Sequence, residues 1–213
     1  MEIIRDHMLI DPALCAEIIA RAVAGGFGDN PSAATHELGL VRLPDGSARR
    51  AWAVHAADAV VLDERGQVAL ITRLHNPGRG KRALPGGLLD ELPGGEVERG
   101  EDAARREAVE EVGFPPQLLA RARAVPLGPR LFERPFDVRA AYNDFPGRPI
   151  RRGEFFTVST QGFCLRVPGD LRDLALMAGD DATNVHVCAV AALTPDAFAV
   201  PDHLTMIRRA LEV

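Results

Sequence analysis

Residues 102–113 predict a helix whose sides differ in chemistry. Asp102 is a good N-cap residue, Gly113 suits the position after the last helical turn, and the two prolines that follow prevent continuation of the helix. At about 100° per residue, the helix has a narrow apolar stripe of Ala104, Ala108 and Val112. This stripe can lie close against a sheet. The neighbouring side, within roughly one 100° arc, carries Glu107, Glu110 and Glu111. The helix therefore combines one buried edge with three carboxylates beside it.

The acidic side is unfavourable for the helix alone. Glutamates at i,i+3 and i,i+4 repel each other by a few tenths of a kcal/mol per exposed pair, and the helix dipole disfavours anions near the C-terminal end. A divalent cation such as Mg²⁺ or Mn²⁺ would remove this conflict, because it takes oxygen ligands. Most acidic clusters of this kind are nevertheless solvated charged faces, so the helix by itself does not establish a metal site.

The residues around the helix match a known pattern. The stretch "REAVEEVGF", residues 106–114, resembles the second half of the Nudix hydrolase signature. That signature is Gly, five residues, Glu, seven residues, then Arg-Glu-U-x-Glu-Glu-x-Gly-U, where U is a bulky apolar residue. The segments "DAVVLDERGQVALITR" and "NPGRGKRALPGG" also resemble the family's strands and loop before this helix. The resemblance covers residues 52–213.

The first half of the signature does not join at the standard spacing. Five residues separate Gly95 from Glu101, as the signature requires, but only four residues then separate Glu101 from Arg106. Seven residues separate Glu98 from Arg106, but the position five residues before Glu98 in this count is Leu92 instead of glycine, with residues 93–97 between them. The loop before the helix therefore departs from the family pattern.

The phrase "LPGG" occurs twice, at residues 84–87 and 92–95, and each copy supports a different register. We favour Gly86–Gly87 as the structural turn, with residues 91–97 largely an insertion and Glu98 the displaced glutamate of the signature. The competing register uses Gly94–Gly95 and Glu101. The three glutamates of the helix are the same in both registers.

The composition is that of an ordinary soluble globular protein. The chain has 213 residues, 46% hydrophobic and 26% charged, enough for one domain with a short extension. A net charge of −5 argues against nucleic acid as the main partner, because binding phosphate backbones needs a basic face. Three distant cysteines without CxxC spacing indicate reduced thiols, and no apolar run approaches membrane-spanning length. We therefore expect a cytoplasmic protein that binds neither nucleic acid nor membrane.

Strand and helix patterns alternate irregularly along the chain. "DAVVL" and "VALITRL" predict two strands joined by the turn "DERGQ", and a helix is predicted from Pro12, with Asp11 as its N-cap. Further strands are predicted in "RARAVPLGPRLFERPFDVRAAYND" and "EFFTVSTQGFCLRVP", and a buried strand after "GDDATN". The C-terminal segment predicts an amphipathic helix with one apolar stripe of Leu204, Ile207 and Leu211.

This order of elements predicts an α+β fold, since strict βαβ alternation is missing. With the resemblance, the expected architecture is a Nudix-like α/β/α sandwich with a mixed β-sheet. We predict residues 1–50 to be an N-terminal extension, a helix plus irregular or short strands, and residues 51–213 to be the Nudix hydrolase domain. Because family members often pair through N-terminal elements, the resemblance also implies a homodimer.

The resemblance implies hydrolysis of the pyrophosphate in a nucleoside diphosphate linked to another moiety. Glu107 and Glu111 would be the main ligands of Mg²⁺ (or Mn²⁺), with Glu110 sharing a metal or polarising water. Arg106 would position these glutamates. A backbone carbonyl of the Gly-Gly turn would be a further ligand.

The small nucleotide substrate implied by the resemblance is ADP-ribose, with AMP and ribose 5-phosphate as products, because the C-terminal part resembles ADP-ribose-type and nicotinamide-nucleotide-linked members. Basic residues that could contact phosphates are Arg73, Arg79, Lys81 and Arg82. Acids outside the signature that could act as a base or extra ligand are Glu154, Asp180 and Asp181. Candidate aromatic side chains for stacking on adenine are Trp52, Phe132, Phe136 and Tyr142.

The rebuilt loop leaves one alternative of a different class. A Nudix-like domain that has lost catalysis could act as a nucleotide-sensing or partner-binding module. The intact "REAVEE" favours an enzyme, since a degenerate domain has no reason to keep three crowded acids.

Overall fold

A computed structural model describes residues 11–75, 78–137, 148–179 and 181–213. The α-helices are α1 (Pro12–Ala24), α2 (Gly100–Val112), α3 (Pro116–Arg121) and α4 (Asp202–Ala210). The strands are β1 (Thr35–Arg42), β2 (Ala48–Leu62), β3 (Gln67–Arg73), β4 (Arg82–Ala83), β5 (Gly86–Leu88), β6 (Ala124–Pro126), β7 (Leu131–Phe132), β8 (Phe136–Asp137), β9 (Phe155–Arg166) and β10 (Ala182–Ala189). These ten strands of the described ranges belong to one mixed sheet.

Strand β2 is the centre of the sheet. It pairs with β9 in parallel along residues 51–62 and with β1 in the antiparallel direction. Every residue of β2 from 51 to 62 is buried, because helices cover both faces, and this explains the nearly continuous apolar sequence. Side chains alternate between the two sides: Ala57, Ala59 and Val61 join the α2 core, and Val60 and Leu62 join the α4 core. The predicted α+β fold, with a mixed sheet and flanking helices, is confirmed.

The predicted hairpin of β2 and β3 forms, but its strands separate at once. Their pairing is limited to Leu62 opposite Val68. Beyond that point β5 pairs with β2, with Gly86 opposite Asp58, while β10 pairs with β3. This separation places the first "LPGG" copy at the centre of the sheet.

Helix α2 begins earlier than the sequence indicates. Asp102 was predicted as its N-cap, but the helix starts at Gly100 and the side chain of Arg99 makes no capping bond. The cap comes from elsewhere in the chain, because the Gly100 N–H donates to Asn30 Oδ1 at 2.9 Å. A Cβ at position 100 would lie 2.9 Å from the Asp29 carbonyl oxygen, so glycine permits this close approach. The other end agrees with the prediction: Gly113 follows the helix with φ 74°.

The N-terminal helix agrees with its prediction. Asp11 caps α1 by accepting hydrogen bonds from the Ala13 and Leu14 N–H groups at 2.8 and 3.2 Å. The segment then enters the sheet as β1, and residue 50 lies inside β2. The division of the chain at residue 50 stays a prediction.

Two expectations about burial were wrong. Strand β10, predicted to be buried, is largely exposed or half-buried, because it lies at the sheet edge and pairs with β3 alone among the described strands. Leu211 follows the end of α4 and is 48% exposed, whereas Leu204 and Ile207 on the same predicted stripe are buried. In the described part of the chain, no helix is both long and apolar enough to cross a membrane.

Candidate active site

The first Gly-Gly turn lies directly against the acidic side of α2. The Gly86 N–H donates to Glu111 Oε2 at 2.9 Å. A Cβ on Gly87 would overlap the Glu107 carboxylate, and a Cβ on Gly86 would overlap the carboxylate of Asp58. A side chain at either position would therefore displace a carboxylate, and Gly86–Gly87 is the turn that faces the helix carboxylates.

The second copy, Gly94–Gly95, lies in an exposed loop. Added Cβ atoms there would meet nothing within 4 Å. The loop closes on itself, since Glu91 bridges to Val97 and the Glu98 N–H donates to the Asp90 carbonyl at 2.8 Å. The chain thus leaves at Asp90 and returns beside it, which is the geometry expected of an insertion.

Arg106 connects this loop to the helix carboxylates. Its guanidinium binds Glu98 through two hydrogen bonds of 3.0 and 2.9 Å. It also reaches Glu107 at 2.6 Å, Glu110 at 3.0 Å and the Leu88 carbonyl at 3.1 Å. These contacts, first of all those of Glu98, raise the pKa of Arg106 above its usual range. Arg106 therefore fixes α2, β5 and the return of the loop relative to one another.

Glu98 and Glu101 differ in their surroundings. Glu98 is buried, and Arg106 donates a hydrogen bond to each of its two carboxylate oxygens. Glu101 lies in the first turn of α2, and its carboxylate pairs with the exposed Arg99 at 2.7 Å. Of the two candidates, Glu98 is the one in contact with the carboxylate cluster.

The three helix glutamates fall into two groups. Glu107 and Glu111 are 9% and 5% exposed and line a cleft, whereas Glu110 is exposed and bound to Arg106. Burial, opposed by the Gly86 N–H, raises the pKa of Glu111 to about 8. Burial also raises the pKa of Glu107, although Arg106 counteracts it. Two adjacent buried carboxylates of this kind need a cation or protons to neutralise them.

The donor set is compatible with a magnesium-type ion. Within the described residues, no three His, Cys, Asp or Glu side chains are arranged to hold a metal ion by themselves. Mg²⁺ commonly uses one or two carboxylates and completes its shell with waters and substrate phosphates. Glu107 and Glu111, both oxygen donors at the wall of a cleft, fit such a site.

The cleft has a volume of about 370 Å³, within the range of small-molecule sites. Side chains of both charge signs line the cleft: Arg73 is basic, whereas Asp181 and the carboxylates of α2 are acidic. An apolar part is formed by Leu88, Phe136, Phe156 and Val158. The rings of Phe136 and Phe156 are stacked with centroids 5.4 Å apart.

The other predicted residues are placed as follows. Arg79 and Arg82 are not among the residues that line this cleft. Asp181 is an exposed lining residue whose carboxylate is 3.5 Å from His75. Glu154 has a local structural role, since it accepts hydrogen bonds from Trp52 Nε1 and the Arg151 N–H. Asp180 and Tyr142 lie outside the described residues.

Three ionisable residues of the cleft were not among the predicted site residues: Asp58, Glu133 and His203, the last of which was expected in a core or surface role. Asp58 had a detectable signal, because an acid interrupts the apolar segment "AADAVVL" and buried acids need partners. Glu133 and His203 carried no local signal. Burial raises the pKa of Glu133. Because Asp58 and Glu133 line the cleft together with the glutamates of α2, its acidic groups come from more than one element of the fold.

A family model described as NUDIX domain matches residues 53–209. The match covers more than half of the chain, so the protein belongs to the Nudix family. It carries a Nudix-type pyrophosphohydrolase domain. No protein in the curated set matches this sequence.

Solved structures resemble this chain at low identity. Escherichia coli dihydroneopterin triphosphate pyrophosphohydrolase is 15% identical and has the same fold, with a TM-score of 0.51 over 75% of this chain and 96% of that one. The NUDIX domain of Shewanella oneidensis NrtR, complexed with ADP ribose, is 20% identical, with a TM-score of 0.47 and coverage of 74% and 86%. A bifunctional NMN adenylyltransferase/ADP ribose pyrophosphatase from Francisella tularensis is 21% identical, with a TM-score of 0.47. The match covers 94% of this chain but only 47% of the Francisella protein.

Proposed function

We propose that the protein hydrolyses the pyrophosphate of a nucleoside diphosphate linked to another moiety, with Mg²⁺ or Mn²⁺ as cofactor. The observation that carries this proposal is the packing of Gly86–Gly87 against the buried Glu107 and Glu111 at the wall of a cleft. Such a cluster of buried acids is costly for folding alone, and it supports a role in binding a cation and a phosphorylated substrate.

Each residue has a distinct part in this mechanism. Glu107 and Glu111 would hold the cation, which would supply neutralisation of phosphate charge and a lowered pKa of a bound water. Arg106 orients Glu107 and Glu110 while Glu98 keeps the guanidinium in place. Glu110 would share the metal or polarise the water, and a backbone carbonyl of the Gly-Gly turn would be a further ligand. Arg73, in the same cleft, contacts a phosphate of the substrate.

ADP-ribose is the substrate we propose, with AMP and ribose 5-phosphate as products. The resemblance of residues 178–211 to ADP-ribose-type members supports it. The flat apolar surface of Phe136 and Phe156 also suits an adenine ring, since aromatic rings stack favourably in offset geometry.

The test is an assay of the purified protein with Mg²⁺ or Mn²⁺ on ADP-ribose, NADH, ADP-glucose, diadenosine polyphosphates and dNTPs. We expect AMP and ribose 5-phosphate from ADP-ribose, and no product after addition of a chelator. Turnover of another member of the panel in preference to ADP-ribose would correct the substrate. Absence of turnover across the panel would instead favour a sensing module.

We also propose a homodimer that pairs through residues 1–50. Val23 on α1 and Leu40 on β1 are 57% and 58% exposed, and both belong to this segment. Light scattering should give twice the chain mass of 22.9 kDa. A single-chain mass at micromolar concentration would refute the dimer.

A further inference from the structure

Two buried polar residues behind the Gly-Gly turn have no part in the mechanism above. His203 lies on α4 and Asp58 lies on β2, and they are 5% and 7% exposed. Their side chains meet, with His203 Nε2 at 3.2 Å from Asp58 Oδ2. The other ring nitrogen, Nδ1, lies 3.1 Å from the backbone nitrogen of Leu84.

These contacts define the protonation of the imidazole ring. A backbone N–H only donates, so His203 Nδ1 must accept the hydrogen bond from Leu84 and carries no proton. The ring proton is therefore on Nε2, which donates to Asp58 Oδ2. His203 thereby connects the chain just before the turn to a carboxylate on the central strand.

The same contacts continue to the helix carboxylates. The second oxygen of Asp58 lies against Gly86, where any Cβ would overlap it. The Ala59 N–H donates to the Pro85 carbonyl at 2.8 Å, which fixes the turn from the strand side. With the turn held in this way, the Gly86 N–H points at Glu111 Oε2.

We propose that His203, acting with Asp58, is a positioning residue that sets the Gly86 amide and through it the orientation of Glu111. This inference rests on the proposed function, in which Glu111 holds the cation. Residues that orient metal ligands affect affinity by about 10- to 100-fold when they are removed.

Packing alone does not account for the pair. Asp58 lies on the same side of β2 as Val60 and Leu62 of the α4 core, and the ring of His203 lies beside Phe198 of that core. Apolar residues of similar volume are often at least as stable as a buried polar pair. Glycine at position 86 is needed partly because the Asp58 carboxylate occupies the space beside it. The pair and the turn therefore fit each other in shape and in hydrogen bonding.

The experiment compares His203→Phe, His203→Asn and wild type. Phe removes both hydrogen bonds and keeps a ring beside Phe198, whose ring is 6.3 Å away, whereas Asn keeps an acceptor for the Leu84 N–H. Ile207→Val, on the same helix and fully buried, is the control for lost packing. Two quantities are measured: hydrogen exchange of the Gly86 amide by NMR in the metal-free protein, and Mn²⁺ affinity by titration.

In His203→Phe we expect faster exchange at Gly86 and roughly tenfold weaker Mn²⁺ binding. His203→Asn should fall between Phe and wild type, and Ile207→Val should change Mn²⁺ affinity less than twofold despite a lower Tm. Unchanged Gly86 exchange in His203→Phe, or effects that simply follow Tm in all variants, would overturn the positioning role. If wild type hydrolyses nothing and binds no Mn²⁺, the proposed function fails, while the exchange measurement still decides whether His203 orders the turn.

Discussion

Gly87→Ala is expected to lower kcat/KM roughly 100-fold, because displacements of about 1 Å at a catalytic group have effects of this size. The added methyl group would overlap the Glu107 carboxylate, so either the carboxylate or the turn must move. Backbone strain is not the cause, since Gly87 does not have a positive φ. Steady-state kinetics on the best substrate of the panel, with circular dichroism to confirm folding, measures the effect.

The second "LPGG" copy provides a matched control. Gly95 has φ 84°, so Gly95→Ala strains the backbone by about 1–2 kcal/mol, but its methyl group meets nothing within 4 Å. We expect a lower Tm and an unchanged kcat/KM. Full activity of Gly87→Ala together with inactivity of Gly95→Ala would mean that the second copy serves the site.

The contrast between these two turns shows where sequence reasoning ends. The helix and its carboxylates could be predicted because helical spacing is local: Ala104, Ala108 and Val112 are all buried on one stripe, as expected. The register of the loop could not be fixed by counting, because an insertion changes spacing without changing contacts. In the structure, Arg106 binds Glu98 directly after the inserted residues and the Leu88 carbonyl before them.

The features that could not be predicted depend on contacts between residues that are distant in the sequence. The N-terminal cap of α2 is Asn30, 70 residues before Gly100, so the choice of Asp102 from nearby residues was wrong. The contact of His203 with Leu84 spans 119 residues, and no spacing rule connects them. The exposure of β10 follows from its edge position, which depends on the order of strands in the sheet.

Glu111→Gln is expected to abolish hydrolysis and yet stabilise the metal-free protein. The neutral amide cannot supply the charge that the proposed cation site needs, and loss of a metal contribution worth several kcal/mol lowers the rate by at least about 100-fold. In the absence of metal, the ionised carboxylate opposes folding, because burial raises the pKa of Glu111 to about 8 from an ordinary value of 4.5. One pKa unit corresponds to about 1.4 kcal/mol. After allowing for a weaker hydrogen bond from the Gly86 N–H, we expect the free energy of unfolding of the metal-free variant to exceed that of wild type by on the order of 3 kcal/mol.

The gain should depend on pH with a defined sign. Below about pH 4.5 Glu111 is protonated in both the folded and unfolded states, and the variant and wild type should be nearly equal. As the pH rises toward 8, the unfolded chain ionises while the folded protein keeps its proton, so wild type loses stability that Gln retains. Urea unfolding with a chelator at pH 5 and pH 8.5 measures this difference.

Glu110→Gln, on the exposed side of the same helix, should change stability by at most about 0.5 kcal/mol at either pH. Equal pH profiles for Glu111→Gln and wild type would show that Glu111 carries no burial penalty, and the acidic side would then be an ordinary solvated surface.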